Sequence, residues 1–162
     1  MELTGEKTIA APPEAVWDAL IDPAFLSRLI PGCESMTGSP ERGYDITVAR
    51  KVGSMEARMT GRFALSEVVP GRGCFLSGAG EAGAVGNAKG TARIRLLPEG
   101  DGTRLGWNIS AELGGKLAAV PEFLVNMAAR KVADGFVERF GAAIEGRELG
   151  ARKGWLGKLS GR

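Results

Sequence analysis

The sequence contains no histidine among its 162 residues. Without imidazole the chain cannot form the Ser-His or Cys-His pairs of nucleophilic catalysis, or a metal site with histidine ligands. Two carboxylates can serve as acid and base, but the acidic residues fall on polar strand faces, in turns or at helix starts, where solvation is the expected role. They are Asp18, Asp22, Glu34, Asp45, Glu56, Glu112 and Glu122. We therefore predict a protein that is not an enzyme.

Cysteine is scarce as well. Cys33 and Cys74 are far apart in the sequence and form no Cys-x-x-Cys pair, so their spacing does not indicate a zinc or redox site. Free thiols that are buried or half-buried are expected, in place of a disulfide or a reactive thiol. The sequence predicts no metal and no cofactor.

Long apolar runs and a strong net charge are also lacking. No apolar run approaches the roughly 18 residues that a membrane span needs, and the amino terminus has charges where a signal peptide would have its apolar core. The formal net charge of +2 is too small to favour nucleic acid as a partner. The expected location is the cytoplasm.

Glycine, in contrast, is abundant, with 25 residues, about twice the usual share. The segment GAGEAGAVGNAKG includes the spacing Gly78-x-Gly80-x-x-Gly83 of a dinucleotide-binding turn, which works only where a buried parallel strand enters a helix. Alternating segments on both sides predict two antiparallel strands instead, which argues against a dinucleotide site. The glycines would let a sheet curl around a helix and leave room between them. A flexible hairpin tip is the alternative.

The rest of the chain changes its periodicity twice. A strand, ELTGEKTIAA, leads into a helix in PPEAVWDALID, and Asp22-Pro23 separates that helix from a second short one, AFLSRLI. From Cys33 to Leu113 the period is two, most clearly in YDITVARKV, EARMTGRFALSEV and TRLGWNISAEL. Turns with glycine separate these runs. An antiparallel sheet of six to seven strands is the prediction.

A long helix is predicted over roughly residues 116–146, after Gly114-Gly115. Its apolar residues form an i+4 row with flanking positions. The row is Leu124, Ala128, Val132, Phe136, Phe140 and Ile144. We expect the stripe of Leu124, Met127 and Ala128 to cover the inner face of the sheet at Leu105, Trp107 and Ile109, since neither surface has another apolar partner.

The carboxyl-terminal segment differs in composition from the body. We divide the chain into a domain at residues 1–146 and a tail at residues 147–162. The tail has five basic residues against Glu148, a charge of 5 − 1 = +4, and the body has 16 basic and 18 acidic residues, a charge of −2. Interfacial segments combine charge and apolar residues in this way. The residues expected to dock on a membrane or a partner are Arg152, Lys153, Trp155, Leu156, Lys158 and Leu159. A disordered, solubilising tail is the alternative.

The order of elements is that of the helix-grip fold, an α+β architecture shared by START-like and polyketide-cyclase-like domains. More closely, the chain resembles the carbon monoxide dehydrogenase G-subunit family over roughly residues 1–145. The resemblance lies in GEKTIAAPPEAVWDALIDP, IPGCES, KVGSMEARMTGRFAL, GNAKGTARIRL, GGKLA and ARKVADGFVERF. It implies a soluble pocket protein that accompanies molybdenum hydroxylases of the carbon monoxide dehydrogenase type, in maturation or membrane recruitment, with a quinone as a proposed ligand. Family members often continue into a hydrophobic anchor, and from a sequence ending at Arg162 we expect no stable anchoring.

Two functions are open at this point. The first is binding of an apolar ligand, a quinone or acyl chain, in a cavity between sheet and helix; methionines and aromatic residues at inward positions suit such a pocket, although packed core is the alternative. The expected lining is Leu29, Met36, Met59, Phe63, Leu76, Trp107, Ile109, Leu124 and Met127. The second is protein docking without a physiological small ligand. Glu34, Lys89 and Lys131 could each face the cavity or a partner, but ordinary surface roles are equally open to them.

Overall fold

The computed structural model describes the backbone of residues 1–52 and 55–159, and the side chains of residues 1–50 and 56–146. In chain order the elements are β1 (Glu2–Ile9), α1 (Pro13–Leu20), α2 (Pro23–Ser27), β2 (Cys33–Ser39), β3 (Gly43–Val52), β4 (Met55–Val69), β5 (Gly73–Glu81), β6 (Asn87–Glu99), β7 (Gly102–Gly114) and α3 (Glu122–Leu159). Two 3₁₀ turns, Gly83–Val85 and Gly115–Ala119, precede β6 and α3.

The two short helices begin where the sequence places prolines. Pro13 and Pro23 each occupy a first-turn position, where the missing N–H has no intrahelical role. The Asp22 carboxylate caps α2 by accepting hydrogen bonds from the backbone N–H groups of Ala24, at 3.0 Å, and Phe25, at 3.2 Å. The two predicted short helices are thus present, and they close one end of the sheet.

The seven strands form one antiparallel sheet in the order β1-β7-β6-β5-β4-β3-β2. The chain from β2 to β7 is a meander, and β1 joins the sheet beside β7. The predicted α+β architecture, a curved sheet with a long carboxyl-terminal helix, is confirmed. Because β5 and β6 are antiparallel and only a 3₁₀ turn separates them, the glycine spacing at residues 78–83 is not a dinucleotide-binding turn.

The glycines of β5 and β6 lie where the sheet bends inward. Gly78 is opposite Phe63 on β4 and Gly90 on β6. A Cβ at Gly78 would be 2.7 Å from the Cβ of Phe63 and 2.8 Å from the carbonyl oxygen of Arg62. Since such distances are too short for real Cβ atoms, the sharp inward bend requires glycine at this position.

Helix α3 begins later than predicted, at Glu122 instead of about residue 116. Pro121 is the reason, because the residue before a proline is pushed out of the helical region, and Val120 is indeed extended. At the other end the helical backbone continues to Leu159, beyond the predicted end near residue 146.

The part of α3 that packs on the sheet is not the predicted one. Leu124 and Met127 are 45% and 65% exposed, whereas Val137, Phe140 and Ile144 belong to the core together with Leu105 and Trp107 of β7. An i+4 row rotates by about 40° at each step around a helix of 3.6 residues per turn. Leu124 and Ile144, five steps apart, therefore lie on opposite sides of α3, and the expected contact of the Leu124 stripe with β7 was wrong.

The core lies at the end of the sheet that α1 and α2 close. Phe140 of α3 meets Phe25 of α2 edge to face, with ring centroids 6.0 Å apart, and stacks on Phe136 at 5.8 Å. Ile9, Val16 and Leu96 complete this cluster and are almost fully buried. The first turns of α3, before Phe136, extend beyond this core.

A candidate ligand-binding cleft

The inner face of the sheet changes from large to small side chains along the strands. At the core end, Leu96 pairs across strands with Leu105. Toward the start of α3 most of the paired inner residues on β5 and β6 are small. One row consists of Phe63, Gly78, Gly90 and Ala111, and the next consists of Gly61, Gly80, Ala88 and Leu113. These small residues remove side-chain volume from the concave face at the end where α3 begins.

Along helix α3 the side chains on the packed side also change in size and burial. Ala129 and Ala133 are half-buried, whereas Val137, Phe140 and Ile144 one to three turns later are buried. Each of these positions follows the one before it by three or four residues, so that they lie on one continuous stripe of the helix. Side chains on this stripe of the helix are thus small near the start of α3 and large near Phe140.

Polar contacts fix the middle of α3. The Arg139 Nε–H donates to the carbonyl oxygen of Leu29 at 2.8 Å. Glu145 accepts from the backbone N–H of Ala10 at 3.0 Å, and Glu138 pairs with Lys7 at 3.4 Å. All three contacts hold this part of the helix against β1 and the segments that follow β1 and α2.

Apolar residues on the inner face are incompletely covered near the amino-terminal half of α3. Phe63, Leu76 and Ile109 are only half-buried, although each lies on the face that turns toward the helix. Phe63 stacks on the buried ring of Tyr44, with centroids 5.0 Å apart. We name the space between α3 residues 125–136 and this part of the sheet the inner cleft.

The nine residues predicted to line a cavity are divided by the structure. Six lie on the inner face of the sheet: Met36, Met59, Phe63, Leu76, Trp107 and Ile109. Among these, Met59 is 36% exposed, and Leu29 is half-buried against the core after α2. Leu124 and Met127 are turned mostly to solvent and stand apart from the other seven. Whether any of the nine contacts a ligand stays a prediction.

One residue that the sequence analysis missed lies on the sheet-facing stripe of α3. Asn126 precedes Ala129 by three residues and is half-buried. Its Oδ1 atom is buried and has no hydrogen-bond partner, the one such side-chain atom among the residues that the structure describes. The signal in the sequence was the single amide in the apolar run FLVNMAA. Asn126 has the three- and four-residue spacing of the buried positions that follow it.

The three polar residues with open roles lie on the surface. Glu34 forms a two-pronged ion pair with Arg58, at 2.9 and 3.0 Å. Lys89 lies on β6 and pairs at 3.5 Å with Glu112, both well exposed. Lys131 is exposed on α3. All three have surface environments in this structure.

The outer face of the same bend has a shallow depression of about 400 Å³. Its polar lining is Ser77, Lys89, Thr91, Ser110 and Glu112. Because it is open and its two charged residues neutralise each other, it has no feature that selects a ligand.

Burial affects two titratable groups near the inner face. The hydroxyl of Tyr44 donates to the carbonyl oxygen of Ile21 at 2.8 Å, and burial, followed by the negative charge of Glu41, raises the pKa of Tyr44 to about 12. Burial also raises the pKa of the Cys74 thiol. Cys74 is buried and Cys33 half-buried, both as free thiols, which confirms the prediction for the cysteines.

The part of the chain that the structure describes lacks two features. No cluster of three or more potential metal-binding side chains is found there. No helix in that part is both long and apolar enough to span a bilayer. The tail residues predicted to dock, from Arg152 to Leu159, lie on the α3 backbone but outside the range of described side chains, so their role and the division at residue 146 stay predictions.

Comparison with protein families identifies one match. The family model of the carbon monoxide dehydrogenase G subunit (CoxG) matches residues 5–145. This range ends close to Ile144, the last buried residue of α3 among the side chains that the structure describes. Among curated proteins, none matches the chain.

Solved structures share the fold over nearly the whole chain. A conserved protein from Geobacillus kaustophilus has a TM-score of 0.80 and 26% sequence identity, over 89% of this chain and 95% of that protein. A protein from Rhizobium leguminosarum has a TM-score of 0.71 and 14% identity, over 90% and 94%. A protein from Chromobacterium violaceum has a TM-score of 0.64 and 21% identity, over 89% and 96%. The last two support the fold alone.

Proposed function

Because the chain belongs to the CoxG family of carbon monoxide dehydrogenase, we propose that it is a non-catalytic accessory protein of a molybdenum hydroxylase of the carbon monoxide dehydrogenase type. In this proposal it binds an apolar ligand, a quinone or a lipid-like molecule, in the inner cleft. Maturation of the enzyme, its recruitment to the membrane and delivery of an electron acceptor are the roles that such binding would serve.

The observation that supports ligand binding is the incomplete burial of the inner face. Phe63, Leu76 and Ile109 would be covered if α3 packed along its whole length as it does at Phe140. Instead the small residues of the sheet and of the helix leave apolar side chains partly uncovered. Concave apolar surfaces with few polar groups are the usual sites of small-molecule binding.

The expected affinity follows from the apolar surface that a ligand would bury. Ten carbon atoms removed from water contribute roughly 8 kcal/mol, at about 0.8 kcal/mol each. Association costs at least about 4 kcal/mol of this. Dissociation constants between millimolar and micromolar are therefore expected.

Co-purification tests the proposed ligand. The protein should be incubated with a lipophilic extract of cells, repurified and analysed by mass spectrometry. We expect a quinone or acyl-chain compound to be retained in a stoichiometric amount. Retention of no lipophilic compound would contradict ligand binding and favour protein docking alone.

Protein docking is the second candidate function, and exposed apolar residues support it. Phe123, Leu124 and Met127 lie close together on the solvent side of the first turns of α3. Exposed apolar groups of this kind are typical of contact surfaces. In this alternative the chain would bind its partner enzyme through the start of α3, and the cleft would be loose packing.

We further propose that the basic tail makes reversible contact with an acidic surface, on the inner face of the cell membrane or on the partner enzyme. The charge of +4 at residues 147–162 opposes the charge of −2 on the body. Each basic residue near an anionic membrane contributes about 1 kcal/mol, so five support weak binding that salt reverses. A cytoplasmic protein with peripheral contact is the resulting proposal.

A further inference from the structure

The unpartnered carbonyl oxygen of Asn126 indicates what the proposed ligand presents to the protein. A buried acceptor without a donor loses its hydrogen bonds to water and gains none in return. Native proteins rarely leave such a group unpaired, and an exception calls for an explanation. A ligand that donates a hydrogen bond to Oδ1 would supply the missing partner.

The position of Asn126 in the fold places this acceptor at the inner cleft. Asn126, Ala129, Ala133 and Val137 follow one another at steps of three and four residues, so Asn126 continues the sheet-facing stripe of α3 into its first turns. Leu124 and Met127, which point away from this stripe, are well exposed. The amide thus belongs to the same side of α3 as Val137, Phe140 and Ile144, which are buried in the core.

The residues around the cleft leave few other partners for the amide. The inner-face positions in the nearest rows are Gly78, Gly90, Ala88, Ala111 and Leu113, none of which has a polar side chain. Their backbone groups are paired across the strands of the sheet. None of these side chains can donate to Oδ1, and a bound ligand with a donor would supply the missing partner.

We propose that Asn126 is a specificity-determining residue and that its Oδ1 accepts a hydrogen bond from a hydroxyl group on an otherwise apolar ligand. This inference rests on the proposed binding of an apolar ligand in the inner cleft. It narrows the ligand class to apolar molecules with a hydroxyl end, such as a phenol, a hydroquinone or a long-chain alcohol. Of the two forms of a quinone, only the reduced form has such donors, so the protein prefers the hydroquinone.

A pair of probes that differ only in the donor tests this assignment. 1-Naphthol and 1-methoxynaphthalene share the same ring system, but only the naphthol can donate. Their dissociation constants for the intact protein should be measured by equilibrium dialysis. We expect 1-naphthol to bind about five-fold more tightly, as one net hydrogen bond predicts.

Two variants give the comparison its controls. Asn126→Leu replaces the amide by an apolar side chain of similar volume and should abolish the preference, since both probes then meet a hydrocarbon surface. Asn108→Leu makes the same change at an exposed site on the outer face of β7 and should keep the five-fold preference. Far-ultraviolet circular dichroism on both variants shows that the fold is retained.

The outcomes separate this inference from the proposed function. Equal binding of both probes by the unaltered protein, or an unchanged preference in Asn126→Leu, would overturn the role of Asn126 while leaving apolar binding intact. Tighter binding of the methoxy probe would also overturn it, because the amide would then present its N–H. Failure of both probes to bind at millimolar concentration would contradict the binding function itself.

Discussion

At the scale of single residues, Tyr44 connects the first helices to the sheet. Its hydroxyl donates to the carbonyl oxygen of Ile21, just after α1, and its ring stacks on Phe63. We expect Tyr44→Phe to lower the free energy of unfolding by about 1 kcal/mol at pH 8, because the Ile21 carbonyl loses its donor. Urea unfolding of both proteins provides the measurement.

The raised pKa of Tyr44 predicts that the stability of the protein changes at alkaline pH. Burial raises the pKa of Tyr44 from 10.0 to about 12, so between these values the folded chain keeps a proton that the unfolded chain releases. The contribution of protonated Tyr44 to the free energy of unfolding is therefore complete below pH 10 and is lost as the pH rises toward 12. The stability gap between the protein and Tyr44→Phe should narrow between pH 9 and pH 11. A constant gap would show that Tyr44 does not titrate in this way.

Asn126 allows a second prediction at this scale, independent of any ligand. Removing an unpaired buried acceptor relieves its desolvation cost, which is about 1–3 kcal/mol. Asn126→Leu should thus raise the free energy of unfolding of the ligand-free protein, whereas most core substitutions lower it. Thermal unfolding followed by circular dichroism measures the change. A loss of stability would indicate that the amide has a structural partner.

Residue roles were the hardest features to predict from the sequence. The free thiols of Cys33 and Cys74 followed from their spacing, and the inward positions of Phe63, Leu76 and Trp107 followed from strand alternation. Asn126 was missed because the burial of a single polar residue in an apolar helix cannot be predicted until the buried stripe of that helix is known. That stripe depends on tertiary packing.

At the scale of elements, the glycines of β5 decide how sharply the sheet bends. Gly78 and Gly80 lie on the same strand and the same face, but a Cβ would be 2.7 Å from the Phe63 Cβ at Gly78 and 3.3 Å from the Thr60 carbonyl oxygen at Gly80. We expect Gly78→Ala to destabilise the protein by about 1–3 kcal/mol, as overpacking does. Gly80→Ala should change stability by less than about 1 kcal/mol. Similar losses in both variants would mean that the bend does not depend on Gly78.

The last part of α3 contains the basic tail, and its proposed docking role can be tested by removing it. The intact chain and a variant that ends at Glu145 should be compared by flotation with anionic phosphatidylglycerol liposomes and by pull-down of the partner enzyme. The intact chain should be retained more strongly in at least one assay, and added salt should weaken that retention because exposed charges are screened. Equal retention of both chains in both assays would contradict a docking role for the tail.

The helices show where periodicity alone is insufficient. Proline and the Asp22 cap located α1 and α2, and the existence of α3 followed from its apolar positions. The start of α3 was misplaced because Pro121 stops the helical conformation at Val120. Its packed side was misassigned because an i+4 row winds around the helix, whereas the buried positions alternate between steps of three and four.

At the scale of the whole molecule, the order of the elements was enough to predict the fold. Two short helices after the first strand, a run with period two and a long final helix admit few arrangements other than a sheet folded around a helix. The family match over residues 5–145 agrees with this architecture. The glycines predicted a cavity between sheet and helix, which stays a prediction; its proposed position near the first turns of α3 follows from the half-buried residues of the three-dimensional structure.

The central claim is that the inner cleft binds an apolar ligand, and a matched pair of helix variants tests it most directly. Ala129→Phe adds a ring on the sheet-facing side of α3, and Ala128→Phe adds the same ring at the exposed neighbouring position. Binding of 1-naphthol should be measured by equilibrium dialysis for both variants and the unaltered protein. We expect Ala129→Phe to weaken binding at least ten-fold, since the ring occupies the cleft, and Ala128→Phe to bind as the unaltered protein does, with a dissociation constant between millimolar and micromolar. Equal binding by the two variants would contradict the claim.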